Sequence, residues 1–208
     1  MLLMIVDIAS ALVVPVLLVC FLMKYWKVKE TKKKVLLILL TMYLCEMFNI
    51  VGIPAVQYFV WNPSVNLIPF SDFGAAGFVF QVSMNAVMLI PMGFLLPMIW
   101  DTFKSAKVTV LTGFLTSLLI EVIQLFSFRA TDIDDLIMNT LGCGIGYLLI
   151  WLFSHKKWNS PTEIREKRGS DMKQFITVFA IPLLTIIFVR SLISSFVYKI
   201  LMKVGIIY

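Results

Sequence analysis

The chain has 208 residues, of which 60% are hydrophobic and only 14% charged, with a mean hydropathy of +0.94. That is too apolar for a water-soluble domain and implies an integral membrane protein of the all-α class, a polytopic bundle of transmembrane helices. The net charge of +6 and pI near 9.3 do not point to nucleic acid, because the basic residues fall in bursts beside apolar runs, as the positive-inside rule predicts.

The length allows roughly five to seven crossings of about 20 residues each, which suits one transmembrane domain over residues 1–208. The first span covers residues 1–23. Lys24, Lys27, Lys29, Lys32, Lys33 and Lys34 follow it and mark a cytoplasmic loop. A cleaved signal peptide would carry its charge ahead of the apolar run, so this segment reads as an anchor whose N-terminus is outside. The second span, 35–59, contains Glu46, Asn49, Gly52 and Pro54, and Pro54 bends or ends it. Residues 61–76 lack Lys and Arg and suit an external loop with surface-lying aromatics.

The third span, 77–100, carries Pro91, Gly93 and Pro97 and leaves at Lys104 and Lys107 on the cytoplasmic side. The fourth, 108–128, and the fifth, 133–153, are joined by a tight external turn, "RATD". Residues 154–173 are polar and basic, with Pro161 and Gly169, and return the chain to the cytoplasm. A sixth span begins near Gln174 and is interrupted by Arg190. Six spans with both termini outside result. The alternative is five spans plus an interfacial C-terminal helix.

Several chemistries drop out. Cys20, Cys45 and Cys143 are odd in number, lie in apolar surroundings and form no C-x-x-C pair, so neither a disulfide framework nor a zinc site is expected. His155 is the only histidine and lies among basic residues at the end of the fifth span, which argues against Ser–His and Cys–His nucleophiles. Any chemistry therefore falls to carboxylates.

They concentrate in residues 117–146. With Phe128 near the outer surface, the helical rise puts Glu121 about 10 Å below it, and Gln124 shares its face. On the fifth span, Asp132, Asp135, Asn139, Gly142 and Gly146 follow i, i+3 and i+4 steps, so one stripe runs from acids through an amide to glycines. Small residues there allow another helix to approach closely. The expected arrangement is a hairpin whose polar stripes face each other or the bundle interior, with Arg129 at its rim. The aspartates also suit a plainer role, since Thr131 or Asp132 is a natural N-cap and acids in a first turn complement the helix dipole. Capping does not explain Glu121, because an ionisable group inside a membrane costs at least ~2.5 kcal/mol and is a functional candidate by default. A structural ion pair with Arg129 or Arg190 is the competing explanation.

Five short motifs resemble the VanZ-like family of bacterial membrane proteins: "VNLIPF" (65–70), "N-x5-P-x-GFLLP" (85–97), "SLLIEVIQ" (117–124), "R-x2-DIDD" (129–135) and "N-x2-G-x3-G" (139–146). They occur in the family's order over about residues 65–150. The family takes its name from a protein associated with teicoplanin resistance, so the resemblance implies a role in the bacterial cell envelope without defining a reaction. It maps the family's polar set onto Asn66, Pro69, Asn85, Pro91, Gly93, Glu121, Gln124, Arg129, Asp132, Asp135, Asn139, Gly142 and Gly146. The prolines and glycines among these suit backbone shaping.

Three functions remain open. The leading one is an outer-leaflet pocket for a glycopeptide or a lipid-linked envelope precursor, with Asn66, Asn85, Gln124, Arg129 and Asn139 as binding residues and Glu121 as the buried acid. The second is an enzyme acting on an exported lipid or precursor, with Glu121 as general acid or base and Asp132 and Asp135 holding a divalent cation, although no metal motif is present. The third is a small transporter or flippase using Glu46, Glu121 and Arg190. Membrane lipids are expected partners, and neither a cofactor nor an oligomeric state is legible.

Overall fold

The computed structural model describes residues 2–61, 64–127, 129–154, 158 and 161–203. Phe128 and His155, used above to delimit spans, lie outside the described residues. The chain is all-α: α1 (Leu2–Tyr25), α2 (Thr31–Ile50), α3 (Phe78–Ile99), α4 (Ala106–Gln124), α5 (Ile133–Ser154), α6 (Pro161–Leu184) and α7 (Arg190–Lys203), with two-residue strands β1 (Val65–Asn66) and β2 (Thr131–Asp132). Among the described residues, four helical stretches are long and apolar enough to cross a membrane: Phe78–Ile99, Ala106–Gln124, Ile133–Ser154 and Lys167–Lys203. The helices divide into two compact units, Met1–Phe59 with Ile176–Tyr208, and Val60–Phe175.

In the first unit α1 packs on α2 and α7. The buried face of α2 presents Leu37, Leu40, Leu44, Met47 and Phe48, and Phe48 meets Phe179 edge-on with ring centroids 5.3 Å apart. The helix ends before Pro54, not at it. Gly52 takes φ +73°, Ile53 N–H donates to the Phe48 carbonyl and Gly52 N–H to that of Asn49, a left-handed glycine stop that satisfies the last carbonyls. The irregularity expected at Arg190 is a π-turn over Thr185–Val189, where Arg190 N–H donates to the Thr185 carbonyl. Arg190 also donates to Asn49 Oδ1 at 3.2 Å, and Ser191 Oγ donates to Gln57 Oε1 at 2.6 Å. Glu46 lies on the exposed side of α2.

In the second unit α3 and α5 form the most extensive helix pair. In lipid, apolar burial between helices gains little, since acyl chains are as apolar as leucine, and close packing has to supply the association. Glycines provide it. A Cβ on Gly142 would collide with the Ala86 carbonyl, one on Gly146 with the Ile90 carbonyl, and one on Gly93 with the Cys143 carbonyl. Cys143 in turn fills the space beside Gly113, which brings α4 against the same helix. Cys143 is a buried packing residue, and its Sγ lies 3.5 Å from the Thr109 carbonyl.

The connections of this unit sort to two ends. At one end, the turn after α3 is held by α6: Trp100 Nε1 donates to Gln174 Oε1 at 2.9 Å, and Thr102 donates its N–H and hydroxyl to Asp171 at 3.0 and 2.9 Å. Tyr147 of α5 donates to the Lys104 carbonyl there, and Asp101 pairs with Lys104 at 2.5 Å and Lys167 at 2.7 Å. The sixth helix, expected to begin near Gln174, already begins at Pro161, a favoured first helical residue, because the polar sequence before Gln174 gives no hydropathy signal. At the other end lie β1, β2 and the residues between β1 and α3.

Candidate functional site

β1 and β2 pair in parallel, Val65 opposite Thr131 and Asn66 opposite Asp132, and Thr131 N–H donates to the Ser64 carbonyl at 2.9 Å. The pairing binds the segment before α3 to the α4–α5 connection. Around it the polar residues singled out from the sequence assemble.

Glu121 belongs to the last turn of α4 and is 4% exposed. Its Oε2 accepts the Asp132 N–H at 3.0 Å and its own carbonyl accepts the Thr131 hydroxyl at 3.0 Å, so the first residues before α5 hang from it. The helix ends at Gln124, not Phe128, which puts Glu121 only about 4.5 Å of helical rise from its end instead of 10 Å inside. The chain leaves the helix early because Ser127 turns back, its hydroxyl bonded to the Gln124 carbonyl at 2.9 Å. Gln124 is likewise buried.

Asp132 caps α5, accepting the Asp134 N–H on Oδ1 at 2.9 Å, while its Oδ2 accepts Asn66 Nδ2 at 3.2 Å. Asn66 also donates to Ser71 Oγ at 2.9 Å and accepts the Ile68 N–H at 3.2 Å. Asp135 accepts from Asn85 Nδ2 of α3 and also bonds Gln81. Arg129 is exposed at the rim, its N–H bonded to Ser127 Oγ at 3.2 Å, and its charge acts on both Glu121 and Asp135. Asn139, 2% exposed, donates to Ser117 Oγ at 3.0 Å, and its Oδ1 has no hydrogen-bond partner among the described residues. Thus Asn66, Asn85, Glu121, Asp132 and Asp135 share one cluster, Arg129 borders it, and the Asn139–Ser117 pair lies one helical turn inward. Among the described residues no three His, Cys, Asp or Glu side chains are gathered as a metal site.

Sequence reasoning missed three members. Asp134, one of the first-turn aspartates for which capping and function both stood open, is 4% exposed and accepts the Phe70 N–H on both oxygens at 2.9 and 3.1 Å. Gln81 precedes Asn85 by four positions and Ser117 precedes Glu121 by four, so the i, i+4 rule applied outward from Asn85 and Glu121 would have found both.

The fold defines an all-α membrane protein, with a polar cluster at one end of α3–α5. A VanZ/LLP1 family model matches residues 35–154, more than half of the chain, and the chain belongs to the VanZ/LLP1 family. No curated protein and no solved structure matches it.

Proposed function

We propose that the chain is a multi-pass protein of the bacterial cell membrane, with six crossings and both termini outside. In this reading its polar end binds the polar part of an envelope amphiphile, either a teicoplanin-type glycopeptide or a lipid-linked precursor. One observation carries it: the hydrogen-bonded group Asn66–Asp132–Glu121 and the pair Asn85–Asp135 gather residues of three helices and the two short strands at one end of α3–α5.

Backbone N–H groups and neutral amides satisfy lone pairs of these carboxylates, and the Arg129 charge acts on Glu121 and Asp135. Arg129 offers the cation at the rim and can hold a phosphate or carboxylate bidentately, while the remaining acidic charge favours ligands with ammonium or hydroxyl donors. The buried Asn139 Oδ1 adds an acceptor that a ligand group or an ordered water can use.

Glu121→Gln keeps the side-chain volume and one carbonyl acceptor for the Asp132 N–H but removes the charge. The reading predicts loss of glycopeptide tolerance with normal membrane levels of protein. Unchanged tolerance contradicts it, and loss of the protein itself assigns Glu121 to structure. Because the same carboxylates could act in acid–base catalysis, conversion of a lipid-linked precursor by the purified protein separates turnover from binding.

A further inference from the structure

We infer that residues 67–73 form an apolar shelf inserted among the acyl chains of the membrane leaflet at the carboxylate end of α3–α5. Leu67 is 70% exposed, Ile68 69% and Phe73 78%, and Phe70 is also exposed, although none of them belongs to a helix. Contiguous apolar side chains presented by a loop mark a contact surface.

The shelf is built, not frayed. Successive tight turns close it: Ser71 N–H donates to the Ile68 carbonyl, Phe73 N–H to that of Phe70 and Ala75 N–H to that of Asp72. Phe70 adopts φ +56°, a left-handed conformation that costs a non-glycine residue roughly 1–2 kcal/mol. The two Asp134 oxygens on its N–H and the edge-on contact of its ring with Phe78 at 6.4 Å hold it there. Strain of this kind persists only where the surroundings fix it, and here the fixing group is a buried carboxylate of the polar cluster.

The occupant follows from continuity. Phe73 also meets Phe78 edge-on, at 5.9 Å, and the exposed side of α3 continues with Val79, Phe80, Met84 and Val87. That helix is long and apolar enough to cross a membrane, so its exposed apolar side faces lipid, and the shelf extends the same surface past the helix end. No Lys or Arg interrupts residues 61–76. Acyl chains, as distinct from a protein partner, are the surface that the length and apolar character of α3 put next to it. The shelf holds the lipid surface against the end of the unit that carries the carboxylates, within reach of molecules lying in the leaflet.

The test places a nitroxide at residue 67, 68, 72 or 73, one at a time, with the native cysteines replaced, in liposomes of phosphatidylglycerol and phosphatidylethanolamine. Relaxation by oxygen and by a water-soluble nickel chelate then reads the depth. Oxygen dominating at 67, 68 and 73, with nickel dominating at Asp72→Cys, is the expected result. Nickel dominating at all four overturns the inference, as does exclusion of both reagents, which indicates cover by a second copy or another protein. Should the cysteine replacements fail to fold, hydroxyl-radical footprinting of the unmodified protein serves instead: protection of Phe73 in nanodiscs that is lost on lipid removal supports the shelf, and a rate unchanged by lipid removal, whether fast from water or slow from protein cover, overturns it.

Discussion

At the scale of the residue, the acids differ in what they hold. Glu121 suspends the turn before α5, Asp132 caps that helix, Asp134 fixes Phe70 and Asp135 meets α3. Asp134→Ala leaves the Phe70 N–H without its charged acceptor, a loss worth roughly 1.5–3 kcal/mol for a hydrogen bond to a charged group. Its amide should exchange with deuterium at least tenfold faster, while amides within α3 keep their protection. Equal protection at Phe70 in the variant would show that the ring contacts alone hold the loop. Glycines give a second contrast. Gly142→Ala drives a Cβ into the Ala86 carbonyl, and overpacking of this kind costs about 1–3 kcal/mol. Gly169→Ala meets nothing and gains helix propensity, roughly 0.5–1 kcal/mol. Denaturation of both variants in detergent should move in opposite directions.

At the scale of the element, α3–α5 were legible because apolar runs of about 20 residues are a direct signal. The assembly of the polar cluster was partly legible, since the i, i+4 spacing of Asp135 and Asn139 puts both on one face. The β1–β2 pairing was not, because two-residue strands carry no periodicity and their partners are distant in sequence. Nor was the role of Asp134: helix capping accounts for an acid in a first turn, and nothing local to it specifies Phe70. The start of α6 was missed because its polar residues mimic a loop, although they dock on the turn after α3.

That docking should weaken in acid. Burial raises the Asp101 pKa, but the hydrogen bonds and charges of Lys104 and Lys167 outweigh it, and the net value is lower than usual for an aspartate. A group whose folded pKa is depressed contributes stability that is complete above its unfolded value, about 3.9, and is lost as pH falls through the folded one. Acid titration of the thermal transition should therefore show a loss below about pH 4 that is diminished in Asp101→Asn. An identical acid profile in the variant would assign the loss to other carboxylates.

At the scale of the whole molecule, the alternation of ends within the second unit agrees with the charge pattern. Residues 65–66 and 131–132 meet at one end, whereas Lys104 and Lys167 meet at the other. The proposed topology, by the positive-inside rule, puts the lysine end in the cytoplasm and the carboxylate end outside. A cysteine at Asp72 should react with an impermeant maleimide on intact cells, and one at Lys107 only after permeabilisation. The reverse pattern would turn the carboxylates inward and remove an extracellular glycopeptide as their ligand.

The most direct measurement is binding of teicoplanin and of a lipid-linked cell-wall precursor to the protein in nanodiscs, beside its Glu121→Gln variant. Saturable binding of one of them, weakened at least about tenfold in a variant that remains folded, is the predicted result; tenfold corresponds to about 1.4 kcal/mol. Binding of neither molecule, or equal affinity in the two proteins, contradicts a ligand site at the carboxylate end.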